Sequence, residues 1–324
     1  MEQTQPQTFG DWAHQAIAKY FHYACKYESR VLKDKDPEAL HQMRVGLRRL
    51  RSAMIGFAPA LTLPKSVQPK KFGKIARVLG RLRDFDVLQA ALQQRVHSLP
   101  GAEQQHIGGL LDRLASRRDK ALAKVRSTLT GKWLDLRQAL QDWLENPKYT
   151  AIAALPIEKV LPDLLLPQLS NLLLHPGWFV GTQNQEGQVL FTPPATPQSL
   201  FDLLDSDGEN LHGLRKEAKR VRYNLSLFEP FYGNSFAQVI ESIESIQEIL
   251  GQIQDSLVLR EFIREHSHKK PADPVPIFTQ QLAQSNYEAW QAWQILQQQF
   301  FQASWRDHLR QVLQQPSLEP VAIA

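Results

Sequence analysis

An internal repeat limits the architectures open to this chain. His41-Gln42-Met43-Arg44-Val45-Gly46-Leu47-Arg48-Arg49-Leu50-Arg51 returns 171 residues later as His212-Gly213-Leu214-Arg215-Lys216-Glu217-Ala218-Lys219-Arg220-Val221-Arg222. Leu79-Gly80-Arg81-Leu82-Arg83-Asp84 returns as Leu250-Gly251-Gln252-Ile253-Gln254-Asp255 at the same offset of 171. Two separate segments in one register mark a duplicated structural unit. Each unit is expected to be an antiparallel helical bundle, because helices joined by short connections pack as neighbours.

The patterning around the repeats agrees with an all-α fold. From about residue 10 to 145, apolar residues recur every three or four positions, as in Leu110, Leu114, Leu122 and Val125, and in Trp133, Leu136, Leu140 and Trp143. Breakers at Asp36-Pro37, Pro59, Pro64, Pro69 and Pro100-Gly101 separate the runs. The same texture returns from about 205 to 312, ending in a Gln-rich stretch with Trp290, Trp293, Phe300 and Trp305. Residues 147–204 differ, being rich in proline. There Leu161–Leu174 reads as a short apolar helix, and Trp178–Thr182 with Gln188–Phe191 flank Asn184-Gln185-Glu186-Gly187 as a candidate β-hairpin. The expected division is a bundle over 10–146, a Pro-rich connector over 147–204 and a second bundle over 205–312.

The repeated helices are strongly one-sided. The spacing predicts a helix over 38–57, with Asp36 as N-cap and Pro37 at its first position. Leu40, Met43, Leu47, Leu50, Met54 and Phe57 form its core stripe, and His41, Arg44, Arg48 and Arg51 a basic stripe beside it. In the second copy, Ser206 and Glu209 have capping-box spacing. Leu211, Leu214, Ala218, Val221, Leu225 and Phe228 form the core stripe there. His212, Arg215, Lys219 and Arg222 form the basic one, with Lys216 and Tyr223 at its edge. A solvated helix ordinarily mixes acids with bases, because like charges one turn apart repel. Residues 41–51 hold four arginines and no acid.

A third segment adds Lys70, Lys71, Lys74, Arg77 and Arg81 at helical spacing, with no acid before Asp84. Their repeat partners are Glu241, Ser242, Ser245, Glu248 and Gln252, so the positive surface is expected to be densest on the first unit. The cluster Arg113, Arg117, Arg118, Lys120 and Lys124 is interleaved with Asp112 and Asp119 and reads as a solvated face. Lys+Arg 38 against Asp+Glu 33 gives a formal charge of only +5, so the distribution of charge, more than its sum, points to an anion. Arginine forks match phosphate oxygens two at a time. Within the basic stripes only Tyr223 could stack on a base, which favours phosphate without base.

The motif His-x-x-Arg-Val-x-Leu-Arg-Arg-Leu-Arg at 41–51 resembles the signature of the CHAD domain, the conserved-histidine α-helical domain. Leu211-His212 through Tyr223 is similar to that family's second signature, and Leu79–Asp84 and Leu250–Asp255 also fit its pattern. The resemblance covers roughly residues 10–312. It implies two antiparallel four-helix bundles related by a pseudo-two-fold axis, with a basic central groove that binds inorganic polyphosphate. The ligands it implies by position are His41, Arg44, Arg48, Arg51, His212, Arg215, Lys219 and Arg222. Arg49 and Arg220 lie in the same signatures.

Other chemistries find little support in the residues. Relatives of this kind can sit beside a CYTH triphosphate hydrolase domain, but no Glu-x-Glu-x-Lys strand pattern occurs. Metal-assisted phosphoryl chemistry needs clustered carboxylates. The nearest pair, Asp84 and Asp86, recurs only as Asp255 and Leu257, so Asp84 and Asp255 read as partners of neighbouring arginines. His266 and His268 precede Lys269-Lys270-Pro271 and are weak metal candidates. Asp205–Glu209 is too short for a calcium loop, and no Walker-type phosphate loop occurs. Cys25 is the one cysteine, which excludes an internal disulfide and a Cys-based zinc site. No apolar run reaches the roughly 18 residues of a membrane span, and the polar start Met1–Pro6 reads as no secretory leader. The expectation is therefore a soluble cytoplasmic protein, not an enzyme, that takes no cofactor and binds inorganic polyphosphate. Neither a membrane nor a specific nucleic-acid sequence is expected as a partner. The competing readings are a nucleic-acid backbone binder and a metal-dependent polyphosphate or triphosphate hydrolase.

Overall fold

Helix starts are fixed by local caps. Thr8 and Asp11 form a reciprocal capping box at the start of α1 (Phe9–Lys26), at 3.2 and 3.1 Å. Asp36 Oδ1 accepts from the Glu38 amide at 2.9 Å, and Pro37 opens α3 (Pro37–Gly56), as the sequence predicts. The computed structural model describes residues 8–267 and 273–316. Among these residues the chain is all-α apart from one two-stranded hairpin. No described helix is long and apolar enough to cross a membrane.

The chain divides into two compact units, the first comprising residues up to His97 with Ile107–Val160, the second Ser98–His106 with Leu161 onward. The stretch 147–204 is therefore shared between them. In the first unit, α1, α2 (Glu28–Lys33) and α3 are followed by α4 (Pro69–Val96), most of α5 (Gly101–Leu129) and α6 (Lys132–Glu145). The predicted stripe of α3 is its core face, since Leu40, Met43, Leu47, Leu50 and Met54 are all buried. The α1 and α3 backbones meet at Gly46, where a Cβ would stand 2.9 Å from Ala24 Cα, so only glycine fits. Phe9 packs on Phe57 and Phe72 edge-on to Trp133. The segment after α6 is tied back onto this unit, with the Phe9 amide donating to Leu155 O at 2.8 Å.

The second unit holds α7 (Leu161–Leu173), the hairpin, α8 (Pro197–Phe228), α9 (Asn234–Ser267), α10 (Pro276–Phe301) and α11 (Ala303–Gln314). Trp178 lies stacked near Trp293 and Phe300, with ring centres 5.3 and 4.8 Å away. Its indole donates to Leu172 O at 2.7 Å. The buried Gln297 amide donates to Trp178 O and Val180 O at 2.6 and 3.0 Å.

Three local expectations are corrected. First, α8 starts at Pro197, capped by Thr196 and Ser199, and Ser206 lies inside it with its hydroxyl donating to Leu203 O. Burial of Leu200, Phe201 and Leu204 continues the apolar stripe toward the N-terminus and carries the helix through the polar stretch Asp205–Glu209. Second, the hairpin pairs β1 (Thr182–Gln185) with β2 (Gln188–Phe191), so Asn184 and Gln185 are strand residues. Glu186 and Gly187, at φ 51° and 82°, make the two-residue turn with left-handed backbone at both positions. Trp178 is drawn into a buried 3₁₀ turn, Pro176–Phe179, before the strand begins. Third, Arg118 is no solvated residue of the α5 cluster. It forks onto Asp34 with two 2.8 Å bonds and reaches Asp86 at 2.7 Å.

Candidate functional site

The basic stripes are built in the same way in both units. In the first, α3 and α4 run antiparallel: Arg44 lies over Gly80 and Arg51 over Gly73. An ideal Cβ on Gly80 would come within 3.5 Å of Arg44 Nη2, so the glycine leaves a bed for the guanidinium. Asp84, one turn further on, holds that guanidinium at 3.8 Å. In the second unit Arg215 lies over Gly251, 3.2 Å from an ideal Cβ to its Nε, and Asp255 follows one turn later. The repeated Leu-Gly-x-x-x-Asp thus has a physical meaning. Glycine provides the floor and aspartate the counter-charge that aims one arginine of each stripe.

Titration follows from this crowding. The His41 pKa is lowered first by burial; Glu38 opposes this, while Arg83, Arg48 and Arg44 add to it. The His212 pKa is lowered first by burial and then by Lys216 and Arg215, against a hydrogen bond to Gln254 and the charge of Glu209. Asp255 keeps exposed surface, yet burial by surrounding protein raises its pKa, with Arg215 and Lys219 opposing. Burial likewise lifts the half-buried Cys25 thiol to about 11, so it is no activated nucleophile.

The structure does not gather every predicted residue onto one face. His41, Arg44 and Arg48 are half-buried along α3, and Arg49 and Arg51 are exposed. Arg49 also lies over the Tyr20 ring, 5.9 Å from its centre. On α4, at ~100° per residue, Lys70, Arg77 and Arg81 fall within about a quarter-turn of the Gly73–Gly80–Asp84 line that meets the arginines. All three are exposed. Lys71 and Lys74 lie further round α4, about 160° and about 100° from that line with Lys74 next to Arg81, and they line an open cavity of about 320 Å³ with Lys132 and Asp135 over Ile75 and Leu136. Arg83, absent from the predicted set, faces His41 electrostatically.

In the second unit several cations are already engaged. Arg222 pairs with Glu244 and lies over Tyr223, its guanidinium carbon 4.7 Å from the ring centre. Arg220 pairs with Glu217, and Lys219 interacts with Asp255. Lys216 is exposed. The position equivalent to Gly73 is Glu244, which the basic pattern alone did not single out. Among the described residues, no three His, Cys, Asp or Glu gather as a metal ion would require; His268 lies outside the described residues.

The CHAD domain family model matches residues 15–264, covering both signatures and both Leu-Gly-x-x-x-Asp segments. The chain belongs to the CHAD domain family. The CHAD domain from the plant Ricinus communis has a similar fold, with a TM-score of 0.59 at 22% identity over 96% of this chain and 94% of that one. PptA from Streptomyces chartreusis is similar at a TM-score of 0.59 and 14% identity, over 96% of this chain and 100% of PptA. Two uncharacterized proteins of Mycobacterium tuberculosis, from strains CDC 1551 and H37Rv, are 23% identical over 265 residues, 80% of this chain. The chain spans 46% of the length of these relatives.

Proposed function

We propose that this CHAD protein binds inorganic polyphosphate without chemical turnover, through the basic stripes of α3 and α8 and the basic residues of α4, and associates through it with polyphosphate granules. The observation that carries this reading is the row Arg44, Arg48 and Arg51 flanked by Lys70, Arg77 and Arg81. Asp84 faces Arg44 of this row from α4. From Arg44 to Arg51 the row rises roughly 10 Å along the helix, the scale of a short run of linked phosphates. Arginine forks suit phosphate oxygens, and membership in this family supports polyphosphate as their source.

The test is a competition titration of long polyphosphate against single-stranded DNA and RNA at several salt concentrations, with phosphate release followed in Mg²⁺ and Mn²⁺. Polyphosphate should win at equal phosphate concentration, with a steep salt dependence from counterion release and no phosphate liberated. Preference for RNA or DNA, or release of phosphate, overturns the reading.

The two histidines give this binding a sign with pH. Phosphate beside His41 or His212 stabilises the imidazolium and raises the lowered pKa. Affinity should therefore rise as pH falls through the bound-state pKa, by about tenfold for each histidine whose pKa shifts by one unit. Affinity measured between pH ~8 and ~5 checks this, and a His41→Gln/His212→Gln protein should show a flatter profile. In the free protein the same lowered values act on stability in the opposite sense. The unfolded chain takes these protons first, so the contribution is full above pH ~6.5 and declines as pH falls through the window below it.

A further inference from the structure

We infer that Glu244 is a built-in competitor for phosphate, which silences one cation of the second unit and leaves the first unit as the principal seat of the polyanion. This rests on the polyphosphate reading above. Arg51 and Arg222 are repeat equivalents, as are the residues beneath them, Gly73 and Glu244. In the first unit Arg51 is exposed, lies 3.6 Å from an ideal Cβ on Gly73, and makes no ion pair among the described residues. In the second unit the Arg222 side chain is 16% exposed, paired with the Glu244 carboxylate and backed by Tyr223.

A carboxylate on a guanidinium occupies the same donors that a phosphate oxygen would use. A phosphate approaching Arg222 must displace Glu244 and tolerate its charge nearby. The neighbouring positions act in the same direction. Lys70, Gly73, Arg77 and Arg81 carry formally +3, and their equivalents Glu241, Glu244, Glu248 and Gln252 carry −3. One helix pair is therefore an open cationic face, and its duplicate is largely neutralised by its own chain.

The test exchanges the two equivalent residues. Glu244→Gln keeps the side-chain shape and removes the competing charge. It should tighten long-polyphosphate binding about five- to tenfold at low salt and steepen the log–log salt slope by about one. The three atoms nearest a Cβ on Gly73 all belong to the Arg51 side chain, at 3.6–3.7 Å, so Gly73→Glu starts its carboxylate chain beside that guanidinium; with an unchanged helical circular-dichroism spectrum it should weaken binding by a similar factor. If wild-type protein binds no polyphosphate, the proposed function itself fails. If wild type binds but Glu244→Gln leaves affinity and slope unchanged, this inference is overturned and the proposed function stands. Unchanged binding by Gly73→Glu overturns it equally.

Discussion

Reversing Arg48, Arg51 and Arg77 to glutamate will weaken polyphosphate binding by at least about a thousandfold near 0.15 M salt. Each reversal removes one phosphate contact and adds a repulsion, and polyanion affinity compounds steeply with the number of contacts. The fold should survive, because Arg51 and Arg77 are exposed and none of the three belongs to the core. Net charge is controlled by a second protein with Arg117, Lys120 and Lys124 reversed, all exposed on α5. Both proteins change charge equally, so a large loss in the first and a loss of less than about tenfold in the second places the site on α3–α4. Equal losses mean that only the overall field matters.

Arg118→Ala will cost stability without touching the basic row. Arg118 joins the turn after α2 to α4 from its seat on α5: it bonds both oxygens of Asp34, itself at a left-handed φ of 50°, and Oδ1 of Asp86. The Arg118, Asp34 and Asp86 side chains are 20%, 18% and 9% exposed, so removing the cation strands two largely buried carboxylates. Breaking a fully buried pair costs about 3–5 kcal/mol, and partial solvent access reduces this to roughly 2–4 kcal/mol. Thermal unfolding should fall by roughly 5–12 °C. Arg118→Lys should recover only part of the loss, since one ammonium cannot fork across Asp34 while reaching Asp86. A loss below ~0.5 kcal/mol would make this an ordinary surface pair.

What the sequence could disclose follows from how local each feature is. The start of α3 was legible because Asp36 and Pro37 act within one turn of the helix they begin. The start of α8 was not, because Leu200 and Leu204 are helical through burial against other elements, which overrides the turn-like polar stretch Asp205–Glu209. The basic row was legible as spacing, but spacing alone does not separate Lys71 and Lys74 from Arg77. Lys74 stands only ~20° from Arg81 around α4, and it is packing against α6 that makes Lys71 and Lys74 line the cavity there. Glu244 stayed hidden because its duplicate, Gly73, carries no charge and so belongs to no basic pattern. Its role depends on which α8 residue lies across from it, and packing fixes that. Arg118 was misread for the same reason, its partners Asp34 and Asp86 being distant in sequence.

Arginine footprinting with phenylglyoxal, read residue by residue by mass spectrometry with and without long polyphosphate, locates the anion directly. Arg48, Arg51, Arg77 and Arg81 should be protected by polyphosphate, while Arg113 and Arg117 on α5 should react equally in both samples. Full reactivity of the α3–α4 arginines in saturating polyphosphate, or protection confined to α5, would contradict the assignment.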